Sequence, residues 1–191
     1  PVRAALVASA LESVAGVKLT RRVAVVDPPL SVWRAKPRAF VSVRNDPTGL
    51  DVTVLHRHLF GDVYSWAGEY RTTELRRGEQ GFASRASIVT AMTRVHDAAK
   101  AVIDGCGAYD DARLGYELAR LYADYNQIHP FREGDGRTGA LLLHGVAGRC
   151  GRVLDLTVSS RAEWYSAARD SMPMLRDGRA NHRPFLPILV R

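Results

Sequence analysis

The segment spanning residues 114–128 constrains the fold of this chain more than any other part of the sequence. Its apolar and aromatic residues follow spacings of 4, 3, 1, 3 and 3, which place them on one face of a helix: Leu114, Leu118, Leu121, Tyr122, Tyr125 and Ile128. Asp110 or Asp111 can cap the start of this helix, and Pro130 forces the chain out of it. The pattern predicts a long helix whose apolar face must be buried against other elements.

Helical periodicity also marks several shorter segments, whereas strand signals are few. A β-hairpin is predicted from a strand-like stretch at residues 69–75, a turn at 76–81 and a short return at Phe82 and Ala83. We therefore expect an all-α single domain with one small hairpin. The other predicted elements are helices at 50–61, 88–102, 138–150 and 161–172, the last capped by Ser159 or Ser160, and a helix at 4–15 and a strand at 22–26.

Composition excludes several classes of protein. The chain has 191 residues, and 46% of them are hydrophobic, which suits one folded domain and is too apolar for a disordered chain. No window approaches the roughly 18 consecutive apolar residues of a membrane-spanning helix, so no membrane partner is expected. Cys106 and Cys150 form no disulfide framework. Glu12 interrupts the apolar N-terminal stretch, which favours a cytoplasmic protein over a secreted one.

Charge gives a weaker indication of partners. The formal net charge is +7, and 24 of the 27 basic residues are arginines scattered evenly along the chain. This balance permits an acidic partner such as nucleic acid, a nucleotide or an acidic protein surface without identifying one, and of these nucleic acid is not the expected partner. The even scattering of the arginines is typical of a bias in genome composition.

The chemistry is expected in the loop that follows the long helix, residues 129–138. Gly134 and Gly136 flank a polar residue just before a helix, an arrangement that exposes backbone N–H groups and suits a phosphate. Arg137 lies in the first helical turn, where a bound anion would offset its charge. From its residue type, His129 is expected to titrate near neutrality and to be able to take a proton from a hydroxyl. Glu133 is a natural Mg²⁺ ligand beside a phosphate.

This loop resembles the signature of the Fic family, the Fic/Doc proteins, which reads H-P-F-x-[D/E]-G-N-G-R-x-x-R. The residues that match are His129, Pro130, Phe131, Glu133, Gly134, Gly136 and Arg137. Residues 55–71 resemble the family's upstream helix and turn, and residues 76–82 resemble its flap hairpin. The resemblance covers residues 50–152, so that we expect a Fic domain at 49–191 and an N-terminal extension at 1–48 that packs on it.

The resemblance implies a helical enzyme that transfers AMP from ATP to a Ser, Thr or Tyr hydroxyl of a target protein. It implies that His129 is the catalytic base, that Glu133 holds Mg²⁺ and that Arg137 neutralises charge in the transition state. Phe131 would anchor the loop. By the same resemblance, Gly134, Asp135, Gly136, Arg137 and Thr138 bind the nucleotide, and the flap residues Gly78, Gly81 and Phe82 dock the target by strand addition.

Two positions depart from the family pattern. Asp135 replaces the family's Asn, and an anion there should repel the triphosphate unless it is protonated, turned away or itself a metal ligand. Ala140 replaces the second Arg that grips the distal phosphate, a feature shared with the Doc branch, which phosphorylates its target. The lysine that precedes the arginine in Doc is Gly136 here.

Three readings follow from these departures. The first is AMP transfer, by a toxin or effector that acts in its own cytoplasm or is delivered to another cell. The second is phosphoryl transfer or the use of another diphosphate-containing donor, and the third is a binding module that has lost catalysis. No helix of the family's inhibitory type is evident, so that control would come from a separate antitoxin or regulatory protein.

Overall fold

The computed structural model describes residues 33–35, 50–175 and 178–190, and this part of the chain is mostly helical. The helices are α1 (Val52–Phe60), α2 (Ile88–Gly105), α3 (Asp111–Ile128), α4 (Asp135–Arg149), α5 (Arg161–Asp170) and α6 (Leu186–Leu189). Two antiparallel pairs of short strands complete it: β1 (Trp33–Ala35) with β4 (Arg152–Leu154), and β2 (Arg76–Arg77) with β3 (Gln80–Gly81).

Helix α3 is the centre of the bundle, as its apolar stripe predicts. The Asp110 side chain accepts a hydrogen bond from the Arg113 amide and caps its start. Its buried face packs against α2, α4 and α6. All six residues of the predicted stripe are buried: Leu114, Leu118, Leu121, Tyr122, Tyr125 and Ile128.

The packing of α4 on α3 depends on a small residue at the contact. A Cβ atom at Gly139 would come within 2.7 Å of Tyr125 Cε1, so that the two helices can approach this closely only because Gly139 has no side chain. The loop between them is consequently held over the ends of two closely packed helices.

Helix α5 closes one side of the bundle and is tied to α3 by buried hydrogen bonds. Ser160 caps it in a capping box with Glu163, as one of the two predicted caps. The Asn126 side chain donates to the Ala168 carbonyl at 2.8 Å and to Ser171 Oγ at 3.0 Å. This contact fixes α5 beside the loop that carries the family-like signature.

Two sequence predictions about elements are wrong in detail, and one strand pairing was missed. Residues 69–75 form no strand, because the backbone amide of Arg71 bonds to the Pro130 carbonyl instead of a strand partner, and the hairpin pairs only residues 76–77 with 80–81. Helix α4 begins at Asp135, three residues before the predicted start, because Gly134 takes the left-handed conformation that ends the loop. The pairing of β1 with β4 was not predicted.

Two further predictions, the helix at 4–15 and the strand at 22–26, lie outside the described residues. The proposed boundary between an N-terminal extension and the domain stays a prediction. Within the described ranges, no helix combines the length and apolarity that a membrane crossing requires.

Candidate active site

The signature loop connects α3 to α4 through two residues in the left-handed region. His129 has φ 49° and ends α3, with its amide bonded to the Tyr125 carbonyl at 3.0 Å. Gly134 has φ 89° and begins α4, and a side chain at this position would overlap the Phe60 ring. The loop is therefore folded tightly, with a non-glycine residue held in a conformation that L-amino acids rarely adopt.

The His129 ring is enclosed rather than solvated. It stacks on Phe82 with ring centroids 4.0 Å apart, and its side chain is 20% exposed. Burial, assisted by the positive charge of Arg77, lowers the pKa of His129 to about 3, against the opposing effect of the Asn126 carbonyl. At neutral pH the imidazole is consequently uncharged and has a nitrogen lone pair that can accept a proton.

The Asp135 side chain is turned inward beneath the loop. It therefore points away from the position where, in place of the family's Asn, it would repel a triphosphate. Its Oδ1 accepts a hydrogen bond from the Phe131 amide at 3.0 Å, and its Oδ2 lies 3.4 Å from His129 Nε2. Burial raises the pKa of Asp135 to about 7, although the bond from the Phe131 amide opposes the shift. The carboxyl therefore lies against His129 and carries less negative charge than an ordinary aspartate at neutral pH.

The start of α4 has the geometry that an anion cradle requires, and binding of an anion there stays a prediction. The first-turn amides of residues 135 and 136 stand at the positive end of a 15-residue helix, and nothing lies within 4 Å of a Cβ built at Gly136. Arg137 is 42% exposed, lies over the Phe60 ring at 4.4 Å and places Nη2 3.6 Å from Glu133 Oε1. An anion at this position would meet amide groups and a guanidinium together.

Thr138, also predicted to bind the nucleotide, is fully buried instead. Its hydroxyl donates to the Gly134 carbonyl at 3.1 Å, and its amide bonds to the same carbonyl at 3.0 Å. Both groups thus hold the loop in place and neither is open to a ligand.

The predicted metal ligand Glu133 is 61% exposed at the mouth of the site. Within residues 50–175 and 178–190 there is no group of three His, Cys, Asp or Glu side chains that could hold a metal alone. Mg²⁺ is commonly held by one or two carboxylates together with substrate phosphates. Glu133 beside the cradle therefore fits Mg²⁺ only jointly with a bound phosphate compound.

A cavity of about 840 Å³ opens over the loop, within the size range of small-molecule sites. Its lining combines the loop with the flap and with α5. Sequence reasoning missed the α5 side, because nothing in the local pattern there shows that it faces the loop. The charged and aromatic residues that line the cavity are Arg77, Arg132, Arg137, Arg161, Glu133, Asp135, His129, Tyr122, Tyr125, Trp164 and Tyr165.

His56, on helix α1, supports the loop. Its Nδ1 accepts from the Gly68 amide at 2.9 Å, and its Nε2 therefore donates to the Glu133 carbonyl at 2.9 Å. Its ring stacks on Phe131 at 3.9 Å, and Phe131 is itself fully buried. Phe131 is thus the loop anchor that the resemblance implies, and His56 is the group it rests on.

The flap residues have different environments. Gly78 forms the hairpin turn with φ 59°, and Gly81 pairs with Arg76. Phe82 is 3% exposed and covers the His129 ring. Docking of a target by Gly78, Gly81 and Phe82 stays a prediction. Because the Phe82 ring is buried against His129, its part in docking would be to hold His129 in place.

Several known proteins are similar to this chain. The family model described as Fic/DOC family matches residues 48–147, just over half of the chain. The chain is 32% identical to the protein adenylyltransferase VbhT of Bartonella schoenbuchensis over 120 residues, which is 61% of the chain. It is 36% identical to the probable protein adenylyltransferase y4lH of Sinorhizobium fredii over 102 residues, which is 53% of the chain. These matches span 24% and 53% of the relatives' own lengths.

A solved structure shares the fold. The crystal structure of BepC, a VirB-translocated effector protein from Bartonella tribocorum with bound AMPPNP, superposes with a TM-score of 0.64 at 18% identity. The superposition covers 78% of each chain.

Proposed function

The chain belongs to the Fic/DOC family, and on that premise we propose that it is an enzyme that transfers AMP from ATP to a hydroxyl of a target protein. The observation that carries the proposal is a buried, uncharged His129 at the edge of a cavity that also contains the α4 anion cradle. Named protein adenylyltransferases among the relatives, and the AMPPNP bound to BepC, support the choice of nucleotide.

The proposed reaction is a displacement at the α-phosphorus of ATP. The target hydroxyl oxygen forms a bond to this phosphorus, the bond from the phosphorus to the bridging oxygen breaks, and pyrophosphate leaves. His129 takes the hydroxyl proton as general base, because its imidazole is neutral near pH 7 and has a lone pair that can accept a proton. Arg137 and the first-turn amides of α4 stabilise the charge that develops on the phosphate.

Mg²⁺ is the proposed metal, with Glu133 as its protein ligand and the phosphates of the nucleotide as the others. When bound, the ion neutralises phosphate charge. The arginines that line the cavity also neutralise phosphate charge. The lining contains four arginines but only two carboxyl groups, the exposed Glu133 and the buried Asp135, which is partly protonated at neutral pH. A polyphosphate is the ligand that such a cavity suits best.

A second candidate function is phosphoryl transfer, as in the Doc branch. Ala140 lines the cavity where the AMP-transferring members have an arginine, and this favours a donor bound in the reverse sense. Arg161 lines the same cavity and could bind the distal phosphate in place of the arginine that is missing at position 140. For this reason AMP transfer is the preferred function. A binding module without activity is the third reading.

One labelling experiment separates these candidates. Purified protein is incubated with Mg²⁺, ATP labelled at the α or the γ phosphate, and a lysate as the source of targets. AMP transfer predicts protein labelled from the α position only and loss of the label with His129→Ala, whereas His182→Ala, outside the cavity lining, keeps it. Label from the γ position alone would establish phosphoryl transfer, and no label from either would favour a binding module.

The biological setting is part of the proposal. BepC is described as a translocated effector, and by that likeness we propose delivery to another cell as an alternative to action in the cytoplasm. A target protein docked at the flap, and a separate antitoxin or regulatory protein, are the proposed partners.

A further inference from the structure

Arg71 has the most unusual environment of any charged residue in the described part of the chain. Its side chain is completely buried, and its guanidinium donates hydrogen bonds to four backbone carbonyls. Nε donates to His129 at 2.8 Å, Nη1 to Thr73 at 2.7 Å, and Nη2 to Ala83 at 2.6 Å and to Ile128 at 3.1 Å.

These four carbonyls belong to two different parts of the site. Ile128 and His129 end helix α3, whereas Thr73 and Ala83 flank the flap hairpin on its two sides. Backbone bonds join the same two parts, because the Arg71 amide bonds to the Pro130 carbonyl at 2.8 Å and the Ala83 amide to the Gln127 carbonyl at 3.0 Å. Arg71 therefore lies at the junction of the flap and the signature loop.

The position suits an arginine for physical reasons. The last carbonyls of a helix lack partners within the helix and carry the negative end of its dipole, so that a cation is favourable at the end of α3. A planar guanidinium offers five N–H groups in a fixed fork, enough to serve four carbonyls at once, whereas a lysine ammonium has three donors on one atom. The carboxylate oxygen Glu74 Oε2 is 3.9 Å from Nη1.

The contacts of Arg71 act on His129 from two directions. One bond holds the His129 carbonyl and so supports its left-handed backbone, with φ 49°. Another holds the carbonyl of Ala83, the neighbour of Phe82, whose ring stacks on the His129 imidazole at 4.0 Å. Both the backbone and the ring of His129 thus depend on groups that Arg71 fixes.

We propose that Arg71 is a positioning residue that sets the geometry of His129 and couples it to the flap, so that a protein segment engaging the flap acts directly on the catalytic base. The inference rests on the proposed role of His129 and adds a residue and a route of coupling to it. Arg71 touches no reacting atom, because its side chain is enclosed by backbone.

The first test is Arg71→Lys, which keeps the charge and removes the fork. In wild-type protein, NMR of the His129 ring protons should show the upfield shift that a stacked Phe82 ring causes. In Arg71→Lys these resonances should move toward the position of a free imidazole, while those of His182 stay unchanged. Label transfer should fall by about 100-fold, as expected for a misplaced base, with the Kd of Mg²⁺-ATP unaltered.

The matched control is Arg169→Lys, an exposed arginine whose hydrogen-bond partners, Ser166 and Asp170, lie on its own helix. It should leave both the His129 resonances and the transfer rate unchanged. An Arg71→Lys protein with wild-type His129 shifts would overturn the proposal, and so would one whose only defect is weaker nucleotide binding.

A second measurement needs no variant and stands even if Arg71→Lys fails to fold. Hydrogen exchange of the wild-type protein should give one common opening free energy for the amides of Arg71, Ala83 and His129, because flap and loop open together. Exchange of Ala83 and Arg71 at least tenfold faster than that of His129 would show that the flap opens alone and would refute the coupling. Neither the shifts nor the exchange depends on the transfer reaction, so that a failure of the proposed function leaves this test intact.

Discussion

Asp135→Asn should change how the stability of the protein depends on pH, in a direction that the position of this carboxyl determines. The side chain is 2% exposed, with Oδ1 bonded to the Phe131 amide and Oδ2 facing His129. Asn keeps the shape and can still accept the bond from Phe131, but it cannot ionise. The substitution therefore removes a buried charge while it preserves most of the contacts.

The magnitude follows from the shift of the Asp135 pKa from 3.8 to about 7. Below pH 3.8 the carboxyl is protonated in the folded and the unfolded chain. Between pH 3.8 and about 7 the unfolded chain loses the proton and the folded chain keeps it, so that wild-type stability falls by about 1.4 kcal/mol per pH unit. The total, about 4 kcal/mol, is the stability present at acid pH that is lost above the folded pKa, and the variant has no such loss.

The assay is urea unfolding of both proteins without metal or nucleotide, at pH values from about 5 to about 8. The stability of Asp135→Asn relative to wild type should rise by about 3 kcal/mol over this range. Titrating groups that do not contact Asp135, such as His144, are present in both proteins and cancel in the difference. Asp62→Asn, at an exposed site, should show no such rise. A difference between Asp135→Asn and wild type that is constant with pH, or that falls, would refute the reasoning.

Three other predictions concern the support of the site and its metal. His56→Ala removes the hydrogen bonds to Gly68 and Glu133 and the contact with Phe131, and should lower the free energy of unfolding by about 2–4 kcal/mol in urea unfolding. In the same assay the control His58→Ala, at an exposed site, should change it by less than about 0.5 kcal/mol. Glu133→Gln should leave the melting temperature unchanged and weaken ATP binding in calorimetry with Mg²⁺ but not with EDTA; equal weakening in both would contradict a role in holding metal. Gly139→Ala forces a methyl group against Tyr125 and should destabilise the protein by about 1–3 kcal/mol in thermal melts, and an unchanged melting temperature would show that the two helices can separate freely.

The sequence predicted five of the six helices from local signals, whereas the short helix α6 was not predicted. The stripe of α3, a cap at Asp110 or Asp111 and a cap at Ser159 or Ser160 are local signals. The structure has the stripe, and the two caps are Asp110 and Ser160. The all-α class and the family resemblance of residues 129–137 followed from patterns of the same short range. His129, Gly134, Gly136 and Arg137 lie together at one cavity, as expected.

Most of the features that were missed depend on contacts between distant segments. Arg71 was part of a motif that resembled the family, but its four carbonyl partners come from residues 73, 83, 128 and 129, and no local pattern predicts such a convergence. The inward turn of Asp135 depends on the fold of the loop around Phe131. The predicted strand at 69–75 failed for the same reason, since its backbone bonds to the loop.

The central claim is that a neutral, buried His129 beside the α4 cradle moves AMP onto protein. The most direct test is the rate of transfer from α-labelled ATP by wild-type protein and by His129→Ala, with Mg²⁺-ATP binding measured in parallel. The account predicts that His129→Ala binds the nucleotide with wild-type affinity, remains folded and transfers no label. Transfer at the wild-type rate by the folded variant would contradict it.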